Sequence, residues 1–216
     1  MRHNIYNYRF ELFLISQICV LFGSLFFPFD LFDSVFLPIV LFINLMVGIV
    51  LVQNKPVLKK ILIGLIVIGF SISIIQWFTD LKYLGLLRLV VYFLFYIIVI
   101  TELIAQVWKS KVVNKNVISG LISGYISLGL IGFFIFLSIE MLSPNSFSGL
   151  QPSFLTDGIM YYSYITLLTI GYGDVLPVTP IAQKASIFVG LMGQMYLVVI
   201  TAIVVGKYIN QLAQEK

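Results

Sequence analysis

Charge is scarce in this chain of 216 residues: only 10% are Asp, Glu, Lys or Arg, against 60% apolar. So few charges cannot cover the surface of a water-soluble domain. Together with a mean hydropathy of +1.07, they indicate a chain that crosses a bilayer several times. Cysteine occurs once, at Cys19. That excludes an intramolecular disulfide and a cysteine-based structural zinc site. The single histidine, His3, sits in the polar N-terminal stretch and reads as a tail residue rather than a ligand. The net charge of +4 does not read as a nucleic-acid footprint, because the basic residues flank apolar runs on alternate loops.

What is abundant is long apolar sequence. Residues 10–29, 31–52, 60–78, 82–108, 117–142 and 180–210 are each long enough to span, since a helix needs about 20 apolar residues to cross the hydrocarbon core. The first run is too long for a signal peptide and no small-residue cleavage site follows it. Arg2, Arg9, Lys55, Lys59, Lys60, Lys109, Lys111, Lys115, Lys207 and Lys216 fall on one side of this six-span arrangement, and Asp30, Asp33, Asp80, Glu140 and Asp174 on the other. The positive-inside rule then makes both termini cytoplasmic. Trp77 and Trp108 sit at span ends, as interfacial aromatics do.

Between the fifth and sixth spans the pattern changes. Residues 143–153 form a loop of Pro, Ser, Asn and Gly. Residues 154–168 are apolar but few, about 22 Å as a helix, which suits a re-entrant half-helix capped by Ser153 with Asp157 in its first turn. A glycine-rich loop, residues 169–174, then returns the chain to the outer side. Irregular backbone at membrane depth survives only when buried in protein or lining water. This segment therefore predicts a pore or a binding site.

The loop and the residues before it read Thr166-Leu167-Leu168-Thr169-Ile170-Gly171-Tyr172-Gly173-Asp174. Gly171 and Gly173, at every second position, can take dihedrals closed to other residues. That lets the carbonyls of Thr169, Ile170, Gly171 and Tyr172 face one axis, with the Thr169 hydroxyl as an inner ring. Ile170 and Tyr172 would point away, braced by Tyr161, Tyr162 and Tyr164. Asp174 would stand at the mouth, where a carboxylate raises the local cation concentration.

Residues 154–174 resemble the pore helix and selectivity filter of tetrameric potassium channels. Thr166, Thr169 and Gly171-Tyr172-Gly173-Asp174 stand where that family's pattern has them. Ile170 replaces the commoner valine, Leu168 replaces a frequent threonine, and Ile165 stands where some members carry a glutamate. The resemblance implies K+ bound at Thr169, Ile170, Gly171, Tyr172 and Gly173, with Tyr161, Tyr162 and Thr166 as filter support. One chain has one such loop, so a closed carbonyl ring requires a homotetramer.

The sixth span carries Gln194, Leu197, Thr201 and Val205 at three- or four-residue spacing, the candidate stripe facing an inner cavity. Gly193 lies where the family has a hinge glycine; close helix packing is an equal reading of the same residue. In the fifth span Ser119, Gly120, Ser123 and Gly124 form a small-residue packing face.

Six spans with the pore between the last two resembles the voltage-gated layout. Yet Lys82 and Arg88 are the only cations in the fourth span ahead of its cytoplasmic end, where a useful sensor needs roughly 3–4 charges per subunit. They are at most a vestigial sensor, with Arg88 paired to Asp33 or to lipid phosphate. The expected organisation is a charge-poor four-helix transmembrane module over 1–108 and a linker over 109–116. A pore domain over 117–210 follows, with an outer helix, a pore helix at 154–168, a filter at 169–174 and an inner helix at 180–210. A short cytoplasmic tail, 211–216, ends the chain, leaving no cytosolic ligand-binding domain.

The expected protein is an all-α, six-span, homotetrameric, potassium-selective channel of a plasma membrane, prokaryotic by its compactness. It is not an enzyme, needs no cofactor and has membrane lipids and K+ as partners. A weakly selective cation channel, a secondary transporter and a non-conducting partner subunit are the alternatives.

Overall fold

The computed structural model describes residues 6–26, 36–79, 82–110 and 112–214. His3, Asp30, Asp33, Asp80 and Lys111, and the side chains of Trp77 and Lys82, lie outside the described residues, as does the expected pairing of Arg88 with Asp33. Among the described residues seven α-helices follow one another: α1 Arg9–Phe22, α2 Leu37–Leu51, α3 Pro56–Phe78, α4 Lys82–Lys109, α5 Lys115–Leu142, α6 Leu155–Leu167 and α7 Pro180–Gln214. Helix is the expected answer to such sequence, because in a bilayer each backbone group must find its partner within the segment.

Among the described residues α3, α4, α5 and α7 are long and apolar enough to cross a membrane. Helices α1 and α2 have 14 and 15 residues, and residues 27–35, which would complete the first two expected spans, are not described.

Several boundaries differ from expectation for local reasons. Helix α3 starts at Pro56 rather than residue 60, since proline is favoured in a first turn and the stems of Lys59 and Lys60 tolerate apolar surroundings. Helix α5 starts at Lys115, where the Asn114 side chain accepts a hydrogen bond from the Val117 amide at 3.0 Å. That leaves only 110–114 as the linker. Helix α7 runs on through Gln214, into the expected tail.

Helix α5 is the hub. It packs against α4 and α1 on one side and against α6 and α7 on the other. Small residues permit these approaches. A Cβ on Gly120 would meet Val107 and Phe10, one on Gly124 the Tyr196 hydroxyl, and one on Gly129 the Tyr164 ring. The expected small-residue face is thus a packing face, and Gly129 and Gly132 extend it toward α6.

A buried polar network joins α1, α2, α4 and α5. Tyr96 donates to Asn44, Asn44 donates to Ser16 Oγ at 2.8 Å, and Gln17 donates to Ser127 Oγ at 2.7 Å. Helices α1, α2 and α4 are therefore tied to α5 of the same chain.

In the last turn of α5, Glu140 accepts the amides of Asn145 and Ser146 at 2.7 and 2.9 Å, closing the turn that follows the helix. The chain then pairs two short antiparallel strands, β1 Phe147–Ser148 and β2 Leu176–Pro177. Strand β1 lies before α6 and β2 after the glycine-rich loop, so the pair ties both ends of that excursion together.

Candidate functional site

Helix α6 spans 13 residues, one residue shorter at each end than expected. Ser153 is not its cap: it lies in the 3-10 turn Pro152–Phe154, and Phe154 precedes the helix with no side-chain cap bond. Proline at 152 nucleates that extra turn and displaces the helix start. Asp157 does lie in the first turn of α6.

At its other end α6 runs directly into the glycine-rich loop. The Leu168 amide bonds to the Tyr164 carbonyl, and the Thr169 amide to the Thr166 carbonyl. The amides of both Ile170 and Gly171 bond to the Ile165 carbonyl at 2.9 and 3.3 Å. In a trans peptide the carbonyl points opposite to the amide that follows it. The carbonyls of Thr169 and Ile170 therefore both face away from α6, on the same side. An ordinary strand alternates them.

The dihedrals show how. Thr169, Gly171 and Gly173 have φ of 55°, 57° and 82°, so every second residue is left-handed. Glycine adopts this conformation freely. For β-branched Thr169 it is strained. Two hydrogen bonds hold that threonine: its hydroxyl donates to the Leu168 carbonyl at 2.7 Å and accepts from Gln194 Nε2 at 3.1 Å. Nothing in the sequence except the polar character of Gln194 announced this second contact.

Behind the loop, a cavity of about 280 Å³ is lined by Tyr162, Ile165 and Thr166 from α6 and by Thr169, Gly171 and Gly173. Within one chain the three tyrosines each bond to a different element. Tyr162 shares a hydrogen bond with Ser186 and stacks with Phe136 and Phe147. Tyr164 donates to the Ile126 carbonyl. Ile170 and Tyr172 remain 46% and 73% exposed within the chain.

Tyr161 instead donates to Asp174 Oδ2 at 2.7 Å, while Asp174 Oδ1 accepts the Val175 amide. The Tyr161 hydroxyl, aided by the Asp174 and Val175 amides, holds the exposed Asp174 carboxyl below the ordinary carboxylate range. Gly149 abuts the same residue: it is left-handed at φ 86°, and a Cβ there would fall 2.0 Å from the Asp174 carbonyl oxygen. The loop ahead of α6 thus packs backbone to backbone against Asp174.

Helix α7 passes beneath. Gly193 lies under the last turn of α6, where a Cβ would fall 2.3 Å from the Leu167 carbonyl oxygen. Of the two readings of this glycine, the structure records close packing, and α7 is continuous through it. Gln194, Leu197, Thr201 and Val205 are all exposed within the chain, and the last three line one shallow groove. The stripe expected from spacing is therefore an uncovered face.

In α4, Arg88 has no hydrogen-bond or ion-pair partner among the described residues. Glu102, which no sequence motif marks, is 6% exposed. It accepts from Lys55 and from Gln106, which in turn accepts from Arg9. Lys207 of α7 donates to the carbonyls of Val107, Trp108 and Ser110 at 3.0, 2.7 and 2.6 Å. These carbonyls close the negative end of α4.

Among the described residues no group of three or more His, Cys, Asp and Glu side chains is placed to hold a metal ion. The oxygens offered at the loop are backbone carbonyls and the Thr169 hydroxyl.

A family described as ion channel matches residues 120–210. The match runs from the first turns of α5 through α6 and the loop to the last turns of α7, under half of the chain. It supports passive ion conduction rather than enzyme chemistry and, with the apolar helices, a membrane protein. No curated protein and no solved structure matches the chain.

Proposed function

We propose that this chain forms a potassium-selective channel as a homotetramer, with Thr169, Ile170, Gly171, Tyr172 and Gly173 as its filter and Asp174 at its mouth. The observation that carries the reading is the loop backbone. Left-handed residues alternate from Thr169 to Gly173, and two successive carbonyls are turned to one side by amides bonded back to α6. A dehydrated cation needs a cage of such oxygens, and four loops close it.

The uncovered surfaces support assembly. Only 17% of the apolar window of α7 is buried within one chain, and Leu168, Ile170 and Tyr172 are exposed at a depth where irregular backbone needs cover. Four copies around an axis would place the faces of Gln194, Leu197, Thr201 and Val205 around an inner cavity. The termini would be cytoplasmic, and the membrane a plasma membrane.

The channel is not strongly voltage-gated on this reading. Helix α4 carries too few charges, and its cytoplasmic end is tied by Glu102, Gln106 and Lys207, which opposes sliding. Residues 1–108 then act as a static module, joined to the pore domain through the linker.

The test is bi-ionic reversal potentials from purified protein in bilayers over a range of voltages. A strong preference for K+ over Na+ with shallow voltage dependence is expected. Little preference would replace this reading by a weakly selective cation channel, and a flux saturating at low turnover by a transporter.

A further inference from the structure

The Thr169 hydroxyl has a single proton, and it is given to the Leu168 carbonyl at 2.7 Å. The contact with Gln194 at 3.1 Å must therefore be donated by the glutamine Nε2, since a hydroxyl already donating can only accept. That fixes the orientation of the amide. Gln194 Oε1 is turned away from Thr169 and has no hydrogen-bond partner among the described residues.

The backbone that carries this side chain is closely packed. It follows Gly193, whose backbone is wedged beneath the Leu167 carbonyl, and that carbonyl also accepts the Tyr125 hydroxyl at 3.2 Å. Helix α7 therefore cannot drift along α6 at this level. On the face of α7 toward the groove, Leu197 and Val205 are apolar and Thr201 lies two turns on, so Gln194 is the polar group of that stripe nearest the loop.

We propose that Gln194 is a positioning and cation-receiving residue. Its amide N–H sets the strained Thr169 hydroxyl, and its free carbonyl oxygen joins those of the other copies in a ring directly beneath the filter. The ligand class is a partly dehydrated monovalent cation. Neutral amide oxygens suit that role, since they replace some hydration water without holding the ion too tightly to leave. The proposal rests on the tetrameric reading above.

Ba2+ is the probe, being close to K+ in size with twice the charge. It is applied from the side of the membrane at the C-terminal end of α7 to single channels in bilayers, with Gln194→Met and Gln194→Glu against the wild type. Methionine keeps length and loses both hydrogen-bonding ends, so block should weaken by roughly tenfold, the scale of a lost hydrogen bond repeated around a ring. Glutamate puts carboxylates in the ring, so block should tighten by at least about tenfold. Opposite shifts are not what a merely structural residue would give.

Block unchanged in both variants, or shifted in the same direction, overturns the proposal. If Gln194→Met does not assemble, Gln194→Glu alone decides by whether its block tightens. Reversal potentials of the wild type are read separately. A K+-selective wild type whose block ignores position 194 refutes this proposal alone, whereas an unselective wild type refutes the reading beneath it.

Discussion

Gly193 lies so close beneath Leu167 that a Cβ on it would stand 2.3 Å from the Leu167 carbonyl oxygen and 3.1 Å from the carbonyl carbon. Backbone atoms cannot yield as the tip of a side chain can. Replacing glycine by alanine in a helix gains about 1 kcal/mol of propensity, but overpacking costs about 1–3 kcal/mol. Gly193→Ala is therefore expected to destabilise the pore, read as a lower thermal midpoint of the detergent-solubilised assembly. Gly64→Ala, with nothing within 4 Å of its Cβ position, should be neutral or gain up to about 1 kcal/mol. Equal effects at both sites would remove the packing account.

The Tyr161 hydroxyl holds the Asp174 carboxyl below its ordinary range. A lowered pKa means that the charge persists as pH falls, and is lost only when pH reaches the lowered value. Tyr161→Phe removes the donor and raises that pKa. The acid limb of single-channel conductance, measured at low ionic strength where surface charge is least screened, should then move to higher pH. A limb that stays in place would show that Asp174 does not set the conductance at the mouth.

Lys207 joins α7 to the end of α4 through three carbonyls. A cation at a partly buried helix C-terminus stabilises by up to about 2 kcal/mol. Lys207→Met should cost about 1–2 kcal/mol of that and loosen the linker, where the Val113 amide bonds to Gln211 Oε1 at 3.2 Å. Faster hydrogen exchange over residues 112–114 is the expected signature. Unchanged protection there would mean that the linker is held by other contacts.

Arg88 has no partner among the described residues, and the basic residues of α4 ahead of its last turn are this arginine and Lys82. Arg88→Gln should leave the slope of the conductance–voltage curve unaltered. A steep wild-type curve flattened by the substitution would overturn the static reading of the module.

Much of the architecture was legible because it depends on local sequence alone. The four long apolar helices follow from run length, and α6 was placed to within one residue at each end because loop residues bracket an apolar stretch. What failed was local competition: Pro152 starts a 3-10 turn that takes Ser153 out of the cap position. Contacts between distant residues were not legible. Glu102 reads as an ordinary polar residue near a span end until the fold brings Lys55 against it, and Lys207 as a topology marker until it meets α4.

The loop from Thr169 to Asp174 divides in the same way. The apolar spans, the short helix between the last two and the glycines at every second loop position can be read from the residues alone, since run length and missing Cβ atoms are local properties of the chain. Tertiary structure decided where Gly193 packs, that Tyr161 serves Asp174, that Tyr162 and Tyr164 turn to α7 and α5, and that Gln194 holds Thr169. Each of these is a distance between elements, and such distances are set by how α5, α6 and α7 pack together.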